Sequence, residues 1–206
     1  MERGSESDAP APPLPEPSRS APAWAWFLLG FVLPALLLFW EAFTQDRNFA
    51  YRDAAHFYYP YYKLIADEWG AGRIPLWNPY ENGGEPLAAQ PTAAVWYPPK
   101  LVFALPYPLA FKLYHLGHLA LAWWSMYFCA RLFGLSRGAA AFAGTGYSFS
   151  GYVLFQLYNV VFLVGASWLP LGVACVDRLV RQPGRGPAFG LAAIIRQTRV
   201  ALRRRK

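Results

Sequence analysis

Charge is absent from long stretches of this chain and crowded into the gaps between them. Ala21 to Trp40 carries no charged residue over 20 positions. At ~1.5 Å per residue that run spans the ~30 Å hydrocarbon layer of a bilayer. A second apolar run, Leu113 to Ala130, is bracketed by Lys112 and Arg131, with His115 and His118 as its polar edge. Gly138 to Val176 then continues for 39 residues without a charge. As one helix it would reach ~58 Å, about twice the membrane, so the polar tetrad Gln156-Leu157-Tyr158-Asn159 is the natural break. The pattern predicts an all-α polytopic membrane protein with about four transmembrane helices, at 21–43, 113–133, 138–155 and 160–180.

The third of these helices is rich in small residues, from Ala139 to Gly151, which suits close helix contact in lipid. The fourth carries Pro170, tolerated where neighbouring helices satisfy the freed backbone. Between the first two spans lies a long extracytoplasmic loop, 44–112, too long for a simple connector. Its Tyr, Trp and Pro content suits a folded cap at the membrane–water boundary. Ala54 to Trp69 reads as an amphipathic helix, bent or started late by Pro60, and Gly83, Gly84 and Pro86 form a reversal.

Composition agrees with lipid as the solvent. Apolar residues make up 55% of the chain and charged ones only 15%, against about 25% charged in soluble domains. A net charge of +7 suggests nucleic acid only until the cations are located. They flank the apolar runs: Arg3 and Arg19 before the first, Arg131 and Arg137 between the second and third, and the rest of the main group after the fourth. With both termini cytoplasmic, the short loops obey the positive-inside rule, and no nucleic-acid partner is called for. The Pro-rich 1–20 tail reads as disordered, and the basic 181–206 tail as cytoplasmic. Ile194 to Lys206 reads either as an interfacial helix on anionic lipid or as the start of a truncated fifth span. Cys129 and Cys175 sit inside apolar runs and read as packing residues.

Candidate chemistry lies in the loop. Asp46 and Asp53 follow the first span closely, where a carboxylate can act as general base or hold a divalent cation against a phosphate. Local spacing alone favours a helix N-cap for Asp53, with His56 one turn on. Arg52, Arg73, Lys100 and Lys112 are of the type that neutralises a lipid phosphate. Glu85 and Gln90, near the glycine turn, suit sugar hydroxyls, and Lys112 with His115 shares a face of the second span. The chain has no Cys/His metal spacing, phosphate-cradling glycine loop or Gly-x-Ser-x-Gly turn.

Several motifs then resemble one family. Asp53-Ala-Ala-His-Phe-Tyr-Tyr-Pro60-Tyr-Tyr-Lys63, Gly72-Arg-Ile-Pro-Leu-Trp-Asn-Pro-Tyr80, Gly84-Glu-Pro86, Tyr97-Pro98, Gly146 to Tyr152 and Trp168-Leu-Pro170 resemble the YfhO family of bacterial membrane proteins. The resemblance covers about Trp24 to Arg181, the N-terminal portion of such proteins. It implies a GT-C glycosyltransferase fold in the bacterial cytoplasmic membrane. Such proteins move a sugar from a polyprenyl-phosphate carrier to an envelope polymer or glycolipid on the outer face. It also implies a catalytic or metal-binding carboxylate in the first outer loop, the place Asp53 occupies. A non-catalytic membrane scaffold is the alternative function. A transporter is disfavoured because spans one, three and four contain no ionisable residue near mid-membrane.

Overall fold

A computed structural model describes residues 21–45 and 47–181. Asp46 and the 1–20 and 182–206 tails lie outside the described residues. The described chain is helical, its only extended pairing being a single antiparallel bridge between Asn78 and Glu85. Helix α1 runs Ala23–Leu38 with one wide turn at Leu28–Val32, and α2 is the short Trp40–Thr44. Helix α3 is Tyr59–Gly70, α4 Tyr107–Leu132, α5 Arg137–Ser148, α6 Gly151–Phe155 and α7 Val160–Arg181. Among the described residues, α7 is long and apolar enough to cross a membrane. Helix α4 is longer, but Lys112, His115, His118 and a run of Tyr and Trp make it more polar, and α1 is shorter.

Local chemistry sets these boundaries. Gly134, at φ 87°, lets the chain turn out of α4, a conformation that costs an L-residue with a Cβ about 1–2 kcal/mol. Ser136 and Ser150 then cap α5 and α6, each Oγ accepting the amide three residues on at 3.3 Å. The 138–155 stretch is therefore two helices joined at Phe149, because the Ser150 cap starts a new one. A tight turn at Gln156–Tyr158 separates it from α7, at the polar tetrad.

Helices α1, α4, α5 and α7 pack side by side around Phe31, Trp123, Tyr127, Val153 and Leu163. The small face of α5 is used here: the Trp123 carbonyl would lie 3.0 Å from a Cβ added at Gly144. The 44–112 segment folds as a cap over the start of α4 and α7. Its core joins Tyr58, just before α3, and Tyr61, Tyr62 and Ile65 of α3 to Leu87, Phe103, Phe111 and Tyr114. Pro60 stands in the first turn of α3, directly after the wide helical turn Ala54–Tyr58, so its missing N–H falls where the bonding pattern changes from one to the other. The outward faces are strongly apolar. Leu29, Leu33, Leu37 and Leu38 of α1 and Phe162, Leu169, Val173 and Val180 of α7 are all exposed.

Candidate functional site

Asp53 stands at the point where the cap meets the turn before α7. The backbone before it is unusual: Arg52 has φ 51°, the left-handed region, which costs a residue with a Cβ about 1–2 kcal/mol. That turn lets the Arg52 carbonyl accept from Ala55 and His56 at 2.9 and 3.0 Å, so the helical turn Ala54–Tyr58 begins there. Asp53 itself is already helical, at φ −60° and ψ −32°, and its carboxylate caps no amide. The N-cap expectation is thus replaced by a carboxylate in the first helical turn, where the helix dipole favours negative charge. Among the described residues it has neither an ion-pair nor a hydrogen-bond partner, and it is exposed. Beside it the Arg52 guanidinium lies 5.0 Å from the centre of the Tyr158 ring. One turn on, Tyr58 donates to Asn159 Oδ1 at 2.9 Å and locks the cap onto the start of α7. Burial, with the nearby Asp53 charge adding to it, pushes the Tyr58 phenol up to about 12.

The other expected site residues do not gather around Asp53. His56 is exposed on the same helical turn. Arg73 is held by Glu68, its Nε and Nη2 donating at 2.9 and 2.7 Å in a two-pronged pair. That pairing raises the arginine pKa further and lowers the glutamate's. Glu85 is tied down by the Asn78 bridge and, with Glu81, accepts from the Tyr61 hydroxyl. Gln90 is buried in the cap. Lys112 is half-buried, 3.4 Å from the Gln45 carbonyl. His115 does not form a basic pair with it. The His115 ring is fully buried, with nitrogens 2.8 and 3.1 Å from the Phe111 and Leu157 carbonyls.

Lys100, expected at a phosphate, points inward. It belongs to the short turn Pro98–Ala104 and has no exposed surface. Among the described residues its Nζ has no hydrogen-bond partner. It lies over the Tyr62 ring, 4.7 Å from the Tyr114 ring centre and 5.1 Å from that of Phe103. An ammonium has three N–H groups to satisfy, and removing it from water costs several kcal/mol. Aromatic contacts return about 2 kcal/mol when desolvated and accept no conventional hydrogen bond. Burial therefore holds the amine well below the ordinary lysine range.

Sequence reasoning missed a buried chain of polar groups next to Lys100. Trp168 of α7 donates from Nε1 to the Tyr97 hydroxyl at 2.9 Å. Tyr97 therefore gives its own proton to His118 Nε2, also at 2.9 Å, which leaves His118 Nδ1–H to donate to the Tyr114 carbonyl at 2.7 Å. His118 joins the cap to α7 through Tyr97 rather than bonding another helix directly. The partners are 21 and 71 residues apart, so no spacing announces them. Only the Tyr97-Pro98 and Trp168-Leu-Pro170 motifs mark the places.

Two cavities lie away from Asp53. One of about 360 Å³ runs between α1 and α5, lined by Trp26, Gly30, Gly138, Ala141, Phe142 and Thr145. The other, about 160 Å³, lies beside Tyr114, His118 and Val102. Among the described residues no three His, Cys, Asp or Glu side chains come together as a metal cage. Among the described residues Asp53 brings a single carboxylate, and Asp46, the other one expected near it, lies outside them. Compared with known proteins, the chain matches no family model, no curated protein and no solved structure.

Proposed function

We propose that this chain is a multi-pass membrane protein of the GT-C glycosyltransferase kind, with Asp53 as general base. The membrane reading is supported by the apolar outer faces of α1 and α7, since soluble monomers rarely expose continuous apolar patches beyond a few hundred Å². It is also supported by how prolines are handled. Pro34 and Pro170 each lack the N–H that would bond the carbonyl four residues back, on Gly30 and Ala166. Side-chain hydroxyls of α5 fill both places: Thr145 donates to Gly30 at 2.7 Å and Tyr147 to Ala166 at 2.7 Å. Internal satisfaction of this kind is what a solvent without hydrogen bonds demands. In this reading α1, α4, α5 with α6, and α7 span the bacterial cytoplasmic membrane. Both termini are cytoplasmic and the cap lies outside.

The observation that carries the enzymatic reading is the unpartnered Asp53 carboxylate beside the strained Arg52. Backbone strain of this sort concentrates at functional sites. The motifs that resemble those of the YfhO family point to the same aspartate. In the proposed reaction an acceptor hydroxyl on an envelope polymer or glycolipid gives its proton to Asp53. Its oxygen bonds the anomeric carbon of the lipid-linked sugar as the bond from that carbon to the phosphate oxygen breaks. The electron pair leaves with the polyprenyl phosphate, whose charge faces Arg52. Arg73 and Lys100 are committed elsewhere and Lys112 reaches the Gln45 carbonyl, so Arg52, next to Asp53, is the phosphate ligand of this scheme. No step is assigned to a metal.

The test is sugar transfer in membranes, from a labelled polyprenyl-phosphate sugar, by the chain and its Asp53→Asn variant. Loss of transfer at unchanged membrane abundance is expected. Equal transfer by both would remove Asp53 from the reaction. A non-catalytic scaffold is the second reading, favoured by the groove of small residues between α1 and α5. It predicts a co-purifying membrane subunit and indifference to Asp53→Asn.

A further inference from the structure

We propose that Lys100 is an acid-operated latch: uncharged, it seats the Pro98–Ala104 turn against α3 and α4, and protonated, it forces that turn to lift away. The inference does not depend on the sugar-transfer reading. It starts from three observations together: zero exposure, an Nζ without any acceptor, and a seat made only of rings. The titratable groups that face this seat are Tyr62 from α3, Tyr107, Tyr114, His115 and His118 from α4, and Tyr97 at the start of the turn itself. Among the described residues no carboxylate faces it. Lys63 and Asp67 of α3 pair with each other on its exposed side. A proton added to Lys100 thus finds no counter-charge and three unsatisfied N–H groups, whereas the same ammonium in water is fully hydrated. The cost of seating it is borne by the contact between the turn and the two helices.

The direction with pH follows from linkage. The open turn holds Lys100 at an ordinary lysine pKa, and the closed turn holds it well below. Opening therefore takes up a proton at any pH between those two values. In that window each unit of acidification favours the open form about tenfold. Charged His115 or His118 would push the same way, so a variant must separate them from Lys100.

Hydrogen exchange of the 98–104 segment in the full chain, purified in detergent and corrected for intrinsic pH effects, reads the opening directly. The amides of Lys100 and Leu105, bonded to Tyr97 and Val102 at 2.8 and 3.0 Å, are the reporters. The unaltered chain should open about tenfold more per unit as pH falls through the window, and Lys100→Met should stay closed throughout. A flat profile in the unaltered chain overturns the latch without reference to any variant. So does acid opening that persists in Lys100→Met, or in Lys100→Leu if the methionine form does not fold.

Discussion

The Tyr147 hydroxyl donates to the Ala166 carbonyl at 2.7 Å, and Ala166 is the residue whose helical partner Pro170 removes. Two residues earlier on α5, Thr145 does the same for Gly30, four residues before Pro34. Residues two apart on a helix point ~200° from one another. One short helix thus serves a proline on each side, α1 with Thr145 and α7 with Tyr147. The pairing explains why α5 combines a small face with the Thr145 and Tyr147 hydroxyls.

Tyr147→Phe leaves the Ala166 carbonyl without a donor and should cost about 1–3 kcal/mol. The cost should shrink when Pro170 is also changed to Ala, because the new N–H reaches the same carbonyl. Thermal unfolding in detergent of the two single variants and the double variant measures this. Additive losses would show that the hydroxyl acts by packing instead.

Gly30 sits where α1 meets Thr145 of α5 and Trp123 of α4. A Cβ there would lie 2.6 Å from Thr145 Oγ1 and 3.2 Å from Trp123 Nε1. Gly30→Ala should therefore destabilise by about 1–3 kcal/mol through overpacking. Thr145→Val, which keeps the shape and loses the hydroxyl, should cost a similar amount by stranding the Gly30 carbonyl and the Trp123 N–H, 3.2 Å from Oγ1. Melting temperatures that match the unaltered chain would remove both contacts from the account.

Where the chain is helical was legible because uncharged runs and the Gln156–Asn159 break are local signals. A helix from Ala54 to about Trp69, altered at Pro60, was legible for the same reason: the wide turn Ala54–Tyr58 passes into α3 there. What a residue's partners are was not. Arg73 and Lys100 look alike in sequence, yet one is held by a glutamate five residues away and the other is buried among rings from two helices. Asp53 has the spacing of an N-cap, and only the left-handed Arg52 before it shows that the cap is not made. The Trp168–Tyr97–His118 chain depends on tertiary packing across 71 residues, so the local motifs mark its members but not their pairing.

Arg52→Gly separates strain from chemistry. Glycine adopts φ 51° freely, which gains about 1–2 kcal/mol. Losing the guanidinium over Tyr158 gives back about 0.5–1 kcal/mol at an exposed site. Stability should change little or rise slightly. If Arg52 holds the leaving phosphate, the KM for a polyprenyl-phosphate sugar should rise and kcat should fall. Unaltered kinetics would leave Arg52 with a purely structural place.

The buried phenols set the behaviour of the fold in alkali. Tyr58 and Tyr97 are pushed up to about 12, chiefly by burial, and Tyr62 is raised well above the ordinary value for the same reason. An unfolded tyrosine ionises near ~10. Between those values the folded state holds more protons than the unfolded one, so stability falls as pH rises. The loss is about 1.4 kcal/mol per pH unit for each such phenol. The buried phenols should ionise in one cooperative step, as the cap unfolds. Tyrosinate absorbance and circular dichroism, followed together through the alkaline range, check that the two changes coincide. Tyr97→Phe should shift the cooperative step to higher pH, less whatever is lost with the bonds to His118 and Trp168. Ionisation of every tyrosine in one reversible step, with no loss of structure, would mean that these hydroxyls are not buried in the folded protein.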